Sequence, residues 1–374
     1  MNRDTNGHKP ATIAAHAGGS GAVDPTRAHV QPLYQTSVFD FPSIADSVGA
    51  LSGNGEPVYG RHGGPNSDEL ERAVAQLEHG QAGLMTASGM GAITAAVLAT
   101  CSQGDAVVVQ RDVYGGTLSL LDQDLQRFGI EVRQVDVHDA GALARAFEGA
   151  KLVVAETISN PLLTQLDLKA VARATRAAGA LLLVDNTFAT PLGIRPLEHG
   201  ADLVVHSVTK FLGGHHDLIA GILVGSTERV EAARGLAIRM GLCAAPFIAW
   251  LALRGLRSLD VRMCRAWENT RELASRLRGD ERVRVVHEAK SCALVSFDLG
   301  SLEAAEKMVT SASLITLSPS LGGITTTLSH PATSSHRGLT ETQQGELGIG
   351  PGLLRLSVGV EHVDDLWADL TRKG

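Results

Sequence analysis

The sequence predicts an α/β protein: a mostly parallel, seven-stranded sheet wrapped by crossover helices, followed by a smaller α+β unit. Through the middle of the chain, short β-branched runs alternate with longer amphipathic ones, the pattern of strands joined by helical crossovers. The strand candidates are apolar nearly throughout, as expected when helices cover both sheet faces. After about residue 240 the texture changes to a long helical stretch and then to a few separated strands.

The elements follow in order. Before residue 60 the chain is rich in Gly, Pro, Ser and Thr, and "GAVDPTRAHVQPLYQTSVFDFPS" has no sustained period, so it reads as an extended arm that packs on something else. "SDELERAVAQLEHG" is helical, with Leu70, Val74 and Leu77 on one face. Strands are expected at 83–88, 106–110, 131–136, 151–159, 180–185, 201–207 and 221–225. Helices fill "PFIAWLALRGLRSLDVRMCRAWENTRELASRLRG"; then come strands "VRVVHE", "ALVSFDL" and "LLRLSVGV" and a terminal helix. The expected division is an arm over 1–60, a large α/β domain over 61–240 and a C-terminal α+β domain over 241–374.

Composition narrows the function. The 374 residues carry a net charge of −7, with 44% apolar and 4% aromatic residues and no basic block, which argues against a nucleic-acid partner. No apolar run approaches the roughly 20 residues that span a bilayer, and "MNRDTNGHKPATIAAHAGGSG" lacks the apolar core of a signal peptide, so a cytoplasmic protein is expected. Cys101, Cys243, Cys264 and Cys292 have no metal-ligand spacing, and adjacent His215 and His216 point to opposite sides of an extended chain. No metal site is expected.

In open α/β sheets ligands bind beyond the carboxyl ends of the strands, and four strand ends here carry polar groups. Ser88, Gly89 and Met90 open a helix after the first strand, which makes either an anion site at the helix start or a plain N-cap. "KLVVAETIS" delivers Glu156, Ser159 and Asn160. "ALLLVD" delivers Asp185, then Asn186 and Thr187. A carboxylate at the end of an apolar strand needs a cationic partner: a protonated heterocyclic nitrogen, or an arginine; otherwise it caps the next segment. In "HSVTKFLGGHHDLIAG", Lys210 follows Ser207 and Thr209 and precedes two glycines, a poor setting for a solvated surface lysine. Taken together, a helix-start anion site, an acid for a ring nitrogen, two hydroxyls and one lysine make the set that pyridoxal phosphate requires, with Lys210 as its Schiff-base partner.

The order and wording of ten blocks resemble the Cys/Met-metabolism (trans-sulfuration) family of pyridoxal-phosphate enzymes. They include "VYGRHGGPNSDELE", "TASGMGAI", "DVYGGT", "ETISNPLL", "VDNTFATP", "SVTKFLGGHHDLIAG", "SLGG" with "HPATSSH", and "LLRLSVGVE". The resemblance implies the fold-type I, aspartate-aminotransferase-like architecture. It implies Lys210 as the lysine that carries the cofactor, and Asp185, with Thr187 beside it, at the ring nitrogen. Tyr114 would stack on the ring and assist proton transfer at the leaving group. Ser88, Gly89, Met90, Ser207 and Thr209 would hold the phosphate. It further implies a homotetramer built from dimers in which Tyr59 and Arg61 reach a neighbour's phosphate. Arg355 would grip the substrate α-carboxylate, with Asn160, Ser320 and Thr325 nearby. The implied chemistry is γ-elimination from a sulfur-containing or O-activated homoserine-type amino acid, through a vinylglycine-type imine. Replacement at Cγ, with an ordinary or a specialised nucleophile, is the alternative; transamination and β-elimination stand behind both, and the Tyr114 block speaks against transamination.

Three departures from the family pattern stand out. "GGPN" (Gly63 to Asn66) replaces Asn-Pro-Thr, and His216 stands where serine is common. Cystathionine-processing relatives carry charged groups at the positions of Thr325 and of Leu118 or Ser119, which are neutral here. A small or apolar γ-substituent is therefore expected.

Overall fold

The computed structural model describes residues 7–19, 28–53, 55–137, 143 and 145–372. Its larger sheet contains β1 (Ala82–Thr86), β2 (Ala106–Gln110), β3 (Glu131–Val135), β4 (Ala150–Glu156), β5 (Leu181–Asp185), β6 (Leu203–Ser207) and β7 (Gly221–Gly225), in the order β1-β7-β6-β5-β4-β2-β3. Strand β7 runs antiparallel to both neighbours and the remaining pairs are parallel. All seven expected strands are present, and the sheet is the mostly parallel one the sequence predicts. The C-terminal ends of β1, β4, β5 and β6 share one edge with the start of β7: Thr86 and Ser207 both face Gly221, and Glu156 faces Asp185.

Several strands stop earlier than expected, because their last residues turn into the loops at the sheet edge. The run 83–88 ends at Thr86, since Ser88 leaves the sheet to cap the next helix, and 151–159 ends at Glu156. Helices α1 (Pro10–His16) and α2 (Ile44–Leu51) interrupt the N-terminal region expected to be extended; parts of that region, residues 1–6, 20–27 and 54, lie outside the described residues. Buried Ile13 and Ala14 anchor α1 in the core shared with α3 (Pro65–Glu78), whose Leu70, Val74 and Leu77 are buried as their spacing predicts. By contrast, α2 presents Ile44, Val48 and Leu51 to solvent at i, i+4 and i+7.

Helix α4 (Gly89–Thr100) packs its alanine-rich body on the sheet, with α5 (Leu168–Ala177) and α6 (Thr227–Met240) as further covering helices. The stretch after residue 240 forms α7 (Pro246–Leu256) and α8 (Leu259–Arg278). A second sheet follows, of β8 (Val285–Glu288), β9 (Leu294–Asp298), β10 (Thr316–Leu317), β11 (Thr327–Ser329) and β12 (Leu353–Ser357), ordered β10-β11-β12-β9-β8. Helices α9 (Leu302–Ser311) and α10 (Val363–Leu370) pack on it. Strands β10 and β11 have two and three residues, too short to show a period in sequence. Among the described residues, no helix is long and apolar enough to cross a membrane.

Candidate active site

At the shared sheet edge the backbone comes together tightly enough to exclude side chains. A Cβ added to Gly221 would lie 2.2 Å from the Ser88 carbonyl oxygen, and one on Gly89 would lie 3.0 Å from Ser207 Cβ. The first turn of α4 therefore sits directly against the end of β6 and the start of β7. Ser88 is the N-cap, its Oγ accepting from Gly91 N at 3.1 Å. No recorded hydrogen bond uses the N–H groups of Gly89 or Met90, so the helix start offers donors as well as its positive dipole end. Ser207 donates its N–H to Thr187 Oγ1 at 2.9 Å and its hydroxyl carries no recorded bond. The Thr209 hydroxyl is instead engaged at both ends by Ala220, donating at 3.2 Å and accepting at 3.1 Å.

Beside this cup, Asp185 closes β5. Its Oδ1 accepts from both the N–H of Thr187 (2.9 Å) and its hydroxyl (2.5 Å), which fixes the carboxylate while Oδ2 receives no recorded bond. Burial raises the Asp185 pKa, opposed by the two Thr187 bonds and by nearby His206. Tyr114 closes the loop after β2, half exposed, and its backbone N–H is tied to Glu156 Oε1 at 2.8 Å. A Cβ on Gly116 would lie 2.4 Å from the Tyr114 ring, so the phenol folds back over its own chain where only glycine fits.

Lys210 reaches the cleft from the turn after β6, its Nζ donating to Ser320 Oγ at 3.1 Å. Burial lowers its pKa first, and the positive charge of Arg355 lowers it further. Arg355 projects from the middle of β12 and is 3% exposed; its Nη1 donates to Asn160 Oδ1 at 2.5 Å while its Nε is buried with no partner. Burial brings this guanidinium down to about 10. An unsatisfied guanidinium edge beside a lysine amine is a receiver for a carboxylate. Buried His336 stands next to it and is pushed down to about 4, by burial and then by Arg355, so it is neutral at pH 7.

Other expected residues fall elsewhere. Within one chain Tyr59 and Arg61 pair with each other, the guanidinium 5.6 Å from the Tyr59 ring centre and Nη1 3.4 Å from the Ile238 carbonyl oxygen, with no recorded contact to Lys210, Asp185 or Ser207. Thr325 is exposed on the loop between β10 and β11, which also carries Ser320. Thr326, its neighbour, is turned away: its hydroxyl donates to Glu361 and accepts from Gly359 N. Leu118 packs into the core under α4 rather than facing the cleft, and Ser119 is exposed. The departure at His216 adopts a left-handed backbone (φ 57°), and its ring covers Gly323, where a Cβ would lie 1.9 Å from Nε2. No group of three potential metal ligands occurs among the described residues.

Unclaimed amides at a helix start with the free hydroxyl of Ser207, a fixed carboxylate and one lysine amine are what a phosphorylated pyridine aldehyde needs for its phosphate, ring nitrogen and carbonyl. The residues fit the group that the sequence implies. Comparison with known proteins agrees with that fit. Residues 11–373 match the family described as Cys/Met metabolism PLP-dependent enzyme. An L-methionine γ-lyase of Pseudomonas putida is 37% identical, with 96% of each chain covered. A cystathionine β-lyase of Bacillus subtilis is 38% identical over 94% of this chain and 91% of its own. The crystal structure of cystathionine γ-synthase from Xanthomonas oryzae pv. oryzae, in complex with cystathionine, superimposes with a TM-score of 0.91 at 36% identity, covering 97% and 96% of the two chains.

Proposed function

Because the chain belongs to the Cys/Met metabolism family of PLP-dependent enzymes, whose cofactor is pyridoxal 5'-phosphate, we propose that it cleaves the bond at Cγ of a sulfur-containing or O-activated homoserine-type amino acid. The observation that carries this reading is the Lys210 amine held by Ser320 beside the open edge of buried Arg355, a base and a carboxylate receiver at one place. Pyridoxal phosphate, when bound, supplies an electron sink that acidifies the protons of the attached amino acid.

The chain's own residues do the rest. Arg355 and Asn160 fix the α-carboxylate and so orient the Cα–H bond. Lys210 would hold the cofactor, and its amine, when free, would be the base for the Cα proton; its lowered pKa increases the share of free amine at neutral pH. Asp185, fixed by Thr187, would face the ring nitrogen and favour its protonated form. The Tyr114 phenol protonates the group that leaves Cγ. Replacement by a second nucleophile uses the same residues and is the second reading, favoured by the likeness to a cystathionine γ-synthase.

Mass spectrometry of products from methionine, homocysteine, cystathionine, S-adenosylmethionine and O-acylhomoserines tests this. γ-Elimination gives 2-oxobutanoate from each, whereas cystathionine split on the other side of sulfur gives pyruvate and homocysteine. Pyruvate as the main product of cystathionine, with no turnover of methionine or O-acylhomoserines, would overturn the γ-reading. Within the panel, kcat/KM should be higher for a methionine- or homocysteine-like substrate than for cystathionine. Thr325 and Ser119 offer no charge to its distal zwitterion, and each polar group left unpaired costs about 1 to 3 kcal/mol, a factor of about 5 to 150. Thr325→Glu should narrow the gap; a parent enzyme that prefers cystathionine by a wide margin contradicts this account of the pocket.

We further propose a homotetramer of dimers in which Tyr59 and Arg61 complete a neighbour's phosphate site. Their exposed position away from Lys210 and the apolar face of α2 support it. Mixing Arg61→Ala chains with Lys210→Ala chains should then restore up to about a quarter of parental activity, since half the dimers would be hybrids with one intact site of two. No recovery, with hybrids verified, argues against a shared site.

A further inference from the structure

Glu156 is a second buried acid at this site, and the roles above leave it unused. It ends β4 directly opposite Asp185 on β5, and residues paired in a parallel sheet point to the same face, with strands about 4.8 Å apart. Both side chains therefore leave neighbouring strand ends on one face, near enough for the Asp185 charge to act on Glu156, which is 8% exposed. Oε1 accepts the Tyr114 N–H at 2.8 Å, and the Glu156 N–H is held by Gln110 Oε1 at 3.0 Å, so backbone and side chain are both pinned.

The charged groups facing Glu156 are Asp185 on β5 and Asp112 on the loop after β2; among the described residues no cation pairs with it. Burial raises its pKa well above the ordinary carboxylate range, and Asp185 raises it further. Asp185 differs in having two Thr187 donors on one oxygen and His206 nearby, all of which favour its ionised form. Two close carboxyls of unequal surroundings divide a single negative charge unequally.

We propose that Glu156 is a positioning residue that stays protonated at neutral pH, leaving the pair's single negative charge on Asp185, and that the same carboxyl clamps the Tyr114 backbone so that the phenol is carried over the cleft. This rests on the proposed roles of Asp185 at the ring nitrogen and Tyr114 at the leaving group. Its test does not depend on turnover.

Infrared difference spectra of the full-length, cofactor-loaded protein should show the carbonyl band of a protonated carboxylic acid at pH 7, absent in Glu156→Gln. In Asp185→Asn that band should titrate away at a lower pH than in the parent, because the neighbouring charge is gone. Hydrogen exchange at the Tyr114 amide should quicken at least about tenfold in Glu156→Ala, which has no acceptor, and stay within about threefold in Glu156→Gln, whose amide oxygen replaces Oε1. A parent without the band, or a band that persists in Glu156→Gln, overturns the charge assignment. Equal loss of Tyr114 protection in the Gln and Ala variants overturns the clamp.

Discussion

Replacing Lys210 by alanine should lower kcat by about 10⁴-fold or more, because the proposed covalent anchor and the proposed base for the Cα proton both go with it. The amine sits 3.1 Å from Ser320 Oγ, and among the described residues no other lysine bonds to that hydroxyl. Borohydride reduction of the parent should fix the cofactor on the peptide containing Lys210; label on another lysine would sink the assignment. An added small primary amine should restore part of the variant's proton-transfer step, which a purely structural loss would not allow. The cofactor-free protein carries a second signature. Its folded-state Lys210 pKa lies below the ordinary 10.5, so over that window the unfolded chain binds more protons and stability rises with pH. Lys210→Met should flatten this rise in the dependence of the denaturation midpoint on pH.

Lys210 was legible in the sequence because its surroundings are local: an apolar run, two hydroxyls and two glycines all lie within ten residues of it. Asp185 and Ser207 were legible for the same reason, each closing a buried strand at the sheet edge where ligands bind. What stayed hidden depends on pairings between distant segments. Glu156 could be read as a strand end, but its bond to the Tyr114 amide joins residues 42 positions apart, and its register with Asp185 exists only once β4 and β5 are paired. Nor does the sequence show that Thr326, next to Thr325, is committed to Glu361, 35 positions away. Helices α1 and α2 were missed because seven or eight residues give too few turns to set a period, and α1 is held by burial of Ile13 and Ala14 rather than by its own propensity. The sheet survived such gaps because its strand pattern repeats seven times.

Arg355→Met should raise KM for amino-acid substrates about 100-fold while leaving the cofactor-free protein as stable as the parent or more so. The two effects have one cause. A guanidinium 3% exposed, with Nε unpartnered and a single recorded bond to Asn160, is a buried charge without a counter-ion, and burial has already lowered its pKa to about 10. Such a group destabilises a fold, and replacing it with an apolar side chain of similar length is often neutral or favourable. A ligand carboxylate supplies the missing partner, and truncating one member of a buried charge pair costs about 2 to 5 kcal/mol of binding, the origin of the expected KM change. Lysine should not rescue it, since a point charge cannot reproduce the paired donors of the guanidinium edge. The parent should bind methionine far better than its methyl ester, and Arg355→Met should lose that preference. A variant that still discriminates acid from ester would place the carboxylate elsewhere; a variant clearly less stable than its parent would mean that Arg355 is held for the fold, with the Asn160 bond as its purpose.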